Sequence, residues 1–236
     1  PVTVAGGVHT LEQVKEISQL NCHVQLGMAL YQNVFSLPES FITALDFNKG
    51  YLPTIVQDTA GQTLMLAYSS RESLQKMFDT GRGTYFSRSR NQLWIKGETS
   101  GNFQKFTSIR MDCDRDALLV TVDQAGAACH TENYSCFGDE QFNLEKLQNI
   151  IADRIRNAPP GSYTATLNKE KLAGKIMEEA QELIEAETGT EIIWEAADLL
   201  YFMSVILSRN HISFAQVLRE LDRRNKIKEK KSKIKD

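Results

Sequence analysis

"DCDRDALLVTVDQAGAACHTENYSCFG", residues 112–138, places aspartates at 112, 114 and 116 and carries three of the chain's four cysteines. In an extended segment side chains alternate between faces. If 110–116 is a strand, Asp112, Asp114 and Asp116 share one face and Cys113 takes the other. Three carboxylates on one face repel unless a cation neutralises them, and an oxygen-only set suits Mg²⁺. The plain alternative is a solvated acidic turn; a calcium loop of the EF-hand type is excluded, because its glycine and terminal Glu are missing. Cys113, Cys129 and Cys136 are sixteen and seven residues apart with no CxxC, so spacing alone says little about zinc. Free cysteines are commonly core residues. "GAACHTENYSCFG" is polar and glycine-containing, however, and three thiolates with one open position are the arrangement of a catalytic zinc. His130 is a fourth ligand or a base. Cys22 lies in an apolar run and reads as core.

Around this stretch the chain is strand-rich. "LPTIVQD" and "TLMLAYS" flank a turn at "DTAGQ", and "SRESLQKMFDTG" reads as a helix capped by Ser70 and stopped by Gly81. "GTYFSRSR", "QLWIKGE", "FQKFTSIRMDC" and "ALLVTVD" follow as strands. The pattern for 40–143 is α+β with a mostly antiparallel sheet. Residues 1–39 begin strand, helix, strand, with "PVTVAGGV", "TLEQVKEISQL" and "CHVQLGMAL" and Thr10 as N-cap; this is a short βαβ fragment, and it is expected to add no catalytic group. The chain begins at Pro1 inside a strand-like run, as a piece trimmed from a longer protein would.

From residue 144 the periodicity becomes helical. Candidate helices cover 144–157, 168–187, 190–209 and 213–229, broken at "APPGS", "TGT" and "RNHIS", so 144–236 reads as an all-α helical bundle. On a wheel of about 100° per residue, Glu179 falls inside the apolar stripe of Leu172, Ile176, Ala180 and Leu183, and Glu182 falls at its edge. "IIWEAADLLYFMSVIL", 192–207, is apolar nearly all round, with Glu195 and Asp198 as its only charges, one turn apart. A buried carboxylate is normally paired or bound to metal. Glu179, Glu182, Glu195 and Asp198 facing each other would form a nest for Mg²⁺. The alternative is pairing with Lys171 and Lys175, which accounts for the first helix better than the second.

Bulk properties restrict the class. The 236 residues are 42% hydrophobic and 24% charged, ordinary for one large or two small domains. No run is long and apolar enough to predict a membrane span, and no basic stretch with an apolar core predicts a signal peptide. Four cysteines do not suggest a disulfide scaffold, which points to reduced thiols and a cytoplasmic location. The tail from Arg223 to Asp236 carries eight Lys/Arg against two acids. Without interleaved aromatics it reads as a solvated helix end, so neither nucleic acid nor membrane is expected as a partner.

"GRGTYFSRSRNQLWIKGETSGN", 81–102, followed by "DCDRDAL" and "CHTENYSCFG", resembles phosphoribosyl-AMP cyclohydrolase over about residues 45–138. The resemblance implies zinc on Cys113, Cys129 and Cys136, Mg²⁺ on Asp112, Asp114 and Asp116, and a homodimer with zinc shared between subunits. It further implies hydrolytic opening of the adenine ring of phosphoribosyl-AMP, with water activated by zinc and protons moved by His130. Substrate-binding residues are expected at Ser87, Arg88, Arg90, Trp94, Lys96, Gly97, Glu98, Thr99, Ser100, Gly101 and Asn102. Arg88, Arg90 and Lys96 supply cations for the substrate phosphates, and the "KGETSGN" turn supplies backbone donors and hydroxyls. "KLAGKIMEEAQELIEAE" with "WEAAD", preceded by "APPGSYTATL", resembles phosphoribosyl-ATP pyrophosphatase over about 144–230. It departs at Met177, where many members have glycine. The resemblance implies Mg²⁺ on the four carboxylates, a catalytic role for Glu179, and release of pyrophosphate from phosphoribosyl-ATP. Lys169, Lys171 and Lys175 are available to offset its charge. Residues 1–35 are similar to the end of a phosphoribosyl isomerase (β/α)8 barrel, in which glycines matching Gly6, Gly7 and Gly27 help grip a phosphate; no isomerase activity is carried over.

Together these readings describe a bifunctional enzyme of the second and third steps of histidine biosynthesis. Two other classes compete. A housekeeping nucleotide pyrophosphohydrolase accounts for the carboxylates but not the cysteines. A non-enzymatic zinc-binding interaction module requires a closed zinc site and no turnover.

Overall fold

The computed structural model describes residues 2–232, without the side chains of 228–232; the end of the basic tail, 233–236, lies outside the described residues. The chain forms two compact units, Pro1–Gln141 and Phe142–Asp236.

In the first unit, β1 (Thr3–Ala5) pairs in parallel with β2 (His23–Gln25) across helix α1 (Leu11–Gln19). Thr10 starts α1 with a reciprocal capping box to Gln13. The strand expected over 22–30 ends at Gln25. It gives way to α2 (Met28–Tyr31) and to α3 (Leu37–Ala44), a helix not foreseen. The signal for α3 is present in the sequence: Ser36 accepts from the Glu39 N–H, the Glu39 carboxylate returns to Ser36, and a proline sits in the first turn. Val8, Val14, Ala29, Phe35 and Ala44 form one apolar cluster that ties α1 to α3. A border at 39/40 therefore falls inside a helix packed on both sides.

The sheet that follows joins β3 (Leu52–Asp58), β4 (Thr63–Ser69), β7 (Gln104–Met111) and β8 (Leu118–Gln124) in the order β4-β3-β8-β7. β3 and β8 run parallel and the other pairs antiparallel, so the sheet is mixed. Between β4 and β7 come α4 (Arg71–Thr80) and a separate hairpin, β5 (Thr84–Ser87) with β6 (Gln92–Ile95). α4 is bounded as its end residues dictate: Ser70 caps it, and Gly81 closes it in the left-handed conformation at φ +65°. Val56, Val120, Val122, Leu64, Met77 and Tyr85 form the core beneath the sheet. Leu52, Leu74 and Leu118 form a second cluster with Ile42 and Leu45 from α3 and the turn after it.

The second unit is all helix: α5 (Leu144–Asn157), α6 (Tyr163–Thr166), α7 (Lys169–Glu185), α8 (Gly189–Arg209) and α9 (Phe214–Ser232). Asn143, Asn168 and Thr188 each accept a backbone N–H at a helix start, which is why the helix borders follow the sequence closely. Ile151, Leu167, Leu172, Phe202 and Val205 fill the core between α5, α7 and α8. No helix among the described residues is long and apolar enough to cross a membrane.

Candidate functional site

The aspartate motif is not a strand. β7 ends at Met111, and 112–117 is a bend in which Arg115 takes φ +67°. The expectation of strand alternation fails here, because a left-handed residue ends the two-residue period. The carboxylates nevertheless converge: Asp112, Asp114 and Asp116 each bring an oxygen within 4.8 Å of the others. Asp112 holds the bend closed, its Oδ1 accepting the N–H groups of Asp116 (3.1 Å) and Ala117 (3.2 Å). Lys49, a cation sequence reasoning missed, pairs with Asp116 at 2.6 Å, and that pairing raises the Lys49 pKa. Three clustered oxygens, two of the residues exposed, are a donor set that suits Mg²⁺.

The cysteines divide into two places. Cys113 is exposed at the edge of a cavity of about 510 Å³ whose other walls are α1, β2 and α3. Cys22, read as core, is half-buried and lines the same cavity. Cys129 and Cys136 lie together on the loop after β8. This loop is pinned to β4: Ser135 Oγ donates to the Thr63 carbonyl at 2.7 Å, and the Cys136 N–H donates to the Leu64 carbonyl at 2.7 Å. Tyr134 donates to buried Asp58 at 3.0 Å. The hydroxyl and N–H of Thr131 lower the Cys129 pKa, with Sγ to Oγ1 at 3.1 Å. Burial raises that of Cys136, and the neighbouring Cys129 adds to the rise. Two close thiols with a half-buried Cys129 suit a thiophilic metal such as zinc. Among the described residues Cys113 joins no cluster with them. Exposed His130 stands beside this pair, Nδ1 3.8 Å from the Cys129 sulfur.

The residues expected to bind substrate lie on the β5–β6 hairpin and the turn after it, and of these Lys96 is close enough to Cys129 and Cys136 to feel their charge. Arg88 lies over the Tyr68 ring at 3.5 Å, and Ser87 Oγ accepts from Arg90 Nε at 3.2 Å. Trp94 packs against buried Tyr85 at 5.5 Å between centroids. Glu98, Thr99 and Ser100 are exposed on the turn that follows. Gly97 and Gly101 take φ +87° and +78°, and the Gly101 N–H closes the turn on the Gly97 carbonyl at 2.8 Å. Asn102 lies against Gly126, where a Cβ would meet its Oδ1 at 2.6 Å. Lys96 differs from a solvent-facing cation: it is 9% exposed, and burial lowers its pKa against the opposing influence of Cys136 and Cys129.

In the helical unit Glu179, Glu182 and Glu195 form a second cluster with oxygens within 4.8 Å of one another. Glu179 is buried, as its place in the apolar stripe requires. Lys175 reaches both Glu178 (2.8 Å) and Glu179 (3.5 Å), so the lysine pairing weighed as an alternative is present on this helix. Lys169 and Lys171 are exposed. The pKa of Glu195 is raised, first by burial and then by Glu182, Glu179 and Asp198. Asp198 is exposed and stands outside the three-oxygen cluster, although its charge reaches Glu195. Like charges held this close require a cation or protons.

Comparison with known proteins agrees with this division. The phosphoribosyl-AMP cyclohydrolase family model matches residues 65–138, and the phosphoribosyl-ATP pyrophosphohydrolase model matches 144–225. The histidine biosynthesis bifunctional protein HisIE of Pyrococcus furiosus is 45% identical over 195 residues, covering 76% of this chain and 93% of that protein. That of Bacillus subtilis is 44% identical over 198 residues, covering 77% and 95%. The histidine biosynthesis trifunctional protein of Saccharomyces bayanus is 47% identical over 176 residues; these are 73% of this chain and only 22% of that longer protein.

Proposed function

Because the chain belongs to the HisIE family of histidine biosynthesis bifunctional proteins, we propose that its two carboxylate clusters and its split cysteines are the metal sites of two successive hydrolyses. The chain is a phosphoribosyl-ATP pyrophosphohydrolase and a phosphoribosyl-AMP cyclohydrolase, the second and third steps of histidine biosynthesis. Of the expected domain borders, 143/144 accompanies this reading and lies close to the division between the two units, whereas 39/40 lies inside α3 and is dropped.

In the helical unit Glu179, Glu182 and Glu195, with Asp198 nearby, would hold Mg²⁺. The ion would draw the triphosphate in and polarise the α–β linkage. Glu179, buried and tied to Lys175, would orient the attacking water, and the exposed Lys169 and Lys171 are available to offset the charge of the leaving pyrophosphate. In the first unit Cys113, Cys129 and Cys136 would hold zinc, which supplies a water acidic enough to lose a proton near neutral pH. His130 moves that proton to the ring nitrogen released when the bond to carbon 6 opens. The hairpin and the Gly97–Asn102 turn hold the phosphoribosyl group and its phosphates, with Arg88 and Arg90 as cations. Asp112, Asp114 and Asp116 would hold a second Mg²⁺. The observation that supports the zinc reading is the close Cys129–Cys136 pair with His130 beside it; Cys113 stands apart from them, and in this reading it is supplied by a second copy. A homodimer is therefore part of the proposal. Exposed Ile193 and Trp194 on α8 are in keeping with an assembled state. So is a cytoplasmic location, where thiols remain reduced.

Two substitutions test the assignment with phosphoribosyl-ATP as substrate. Cys129→Ser is expected to abolish ring opening and release pyrophosphate at the wild-type rate. Glu179→Gln is expected to slow pyrophosphate release by about 10²–10⁴-fold while still opening the ring of supplied phosphoribosyl-AMP. Wild-type rates of both steps in both variants would remove both site assignments.

A further inference from the structure

The cavity beside Cys113 touches the proposed metal ligands only at its rim, where Asp112, Cys113 and Arg115 lie, and its other walls come largely from residues 1–44. Val14, Val24, Leu26, Phe41 and Met111 make its lining mainly apolar, and Ser40 lies in the same wall. At about 510 Å³ it has room for a large side chain. Cys113 sits at its edge, on the outer surface of the unit.

A second observation concerns the other cysteine pair. Phe137 follows Cys136 at the tip of a tight turn and is 71% exposed. Neither fraying nor chance places it there. The turn is closed by the Ser135 N–H on the Gly138 carbonyl (3.0 Å), and the Phe137 N–H donates to the buried Ser135 hydroxyl (2.9 Å). A rigid turn therefore presents a phenyl ring to solvent, next to one zinc ligand. The other ligand, Cys113, stands next to an apolar cavity that this chain leaves unfilled.

We propose that the partner's Phe137 seats in the cavity walled by α1, β2 and α3, so that the N-terminal segment builds half of the lock that holds the shared cysteine site together. The inference rests on the reading of a zinc centre divided between two chains. Sulfur ligands about 2.3 Å from one zinc are about 4 Å apart. The residue after Cys136 is only one Cα step of about 3.8 Å away. Once the partner's Cys136 meets Cys113, the partner's Phe137 arrives at the mouth of the cavity. Two-fold symmetry repeats the contact, giving two rings in two cavities per dimer. The segment then has a role without supplying a catalytic group.

The test uses the full chain loaded with zinc. Phe137→Ala, at an exposed position, is expected to fold normally and to weaken dimerisation about 100-fold by sedimentation, since two buried rings are lost per dimer. Benzoylphenylalanine placed at 137, irradiated in dimers mixed from light and heavy-isotope chains, is expected to form interchain adducts with residues 14–44 or 111–115. Dimers of unchanged strength in Phe137→Ala, or adducts confined to other surfaces, overturn the proposal. Cys113→Ser decides the underlying reading separately. Loss of zinc from Cys113→Ser alongside an inert Phe137→Ala leaves the shared site standing and removes the lock. Full zinc retention in Cys113→Ser removes the shared site itself.

Discussion

At the scale of single residues, the site depends on backbone that only glycine can adopt. Gly97 opens the turn after β6 at φ +87°, and a Cβ there would lie 2.4 Å from the Asn102 carbonyl carbon and 2.5 Å from the Phe103 nitrogen. Backbone cannot swing aside as a side chain can. Gly97→Ala is therefore expected to cost about 3 kcal/mol, read as a lowered melting transition of the first unit. It should also raise KM for phosphoribosyl-AMP while leaving pyrophosphate release unchanged. A melting temperature within a degree of wild type would show that the turn is not held as described. Glu179 was legible from periodicity alone, since a carboxylate inside an apolar stripe has to be buried. Lys96 was not: next to Gly97 and Glu98 it reads as surface. Its burial arises because the hairpin folds it under, with the Lys96 N–H donating to the Gly83 carbonyl at 2.9 Å.

At the scale of elements, α7 and α8 bring carboxylates together that neither helix alone would tolerate. The Glu195 pKa is raised by burial and by Glu182, Glu179 and Asp198, so the metal-free fold binds its proton more tightly than the unfolded chain does. Its contribution to stability is present below the unfolded carboxylate range and is lost as pH rises through the raised folded value. In chelator, the melting temperature of the helical unit is expected to fall across that window. In the proposed site Mg²⁺ would replace the proton as the neutralising charge, so its stabilisation should be larger at pH 7.5 than at pH 5. Equal Mg²⁺ shifts at both values would mean that the cation binds elsewhere. Glu195→Gln should flatten the pH dependence. The helices were legible because their ends are marked: Asn143, Asn168 and Thr188 are caps whose bonds the structure contains. The aspartate bend was not, because alternation holds only while the strand continues, and nothing in "DCDRD" announces that Arg115 turns left-handed. The signal for α3 lies in Ser36, Pro38 and Glu39, a capping box with a proline in the first turn, and no element is assigned there from the sequence alone.

At the scale of the whole molecule, the proposed division of the zinc ligands between two copies makes a prediction that no single chain could satisfy. Spacings of sixteen and seven residues with no CxxC left the cysteines ambiguous in sequence, because free cysteines are commonly core residues as well as metal ligands. Cys113→Ser and Cys129→Ser should each be inactive in ring opening as pure proteins, since every centre then lacks one sulfur. In a mixed dimer the defects fall together: one centre receives both substitutions, and the other receives Cys113 from one chain with Cys129 and Cys136 from its partner, all intact. Random reassortment of the two proteins in equal amounts puts about half of the dimers in mixed form with one good centre in two, so about one quarter of wild-type activity should return. Pyrophosphate release, which depends on carboxylates from α7 and α8 of one unit, should stay at wild-type level in each protein and in the mixture. Ring opening that remains absent after exchange of subunits has been verified by isotope labelling would mean that the three cysteines act within one chain or not as a set. Recovery to about a quarter, with zinc content rising in parallel, is the outcome that a divided centre requires.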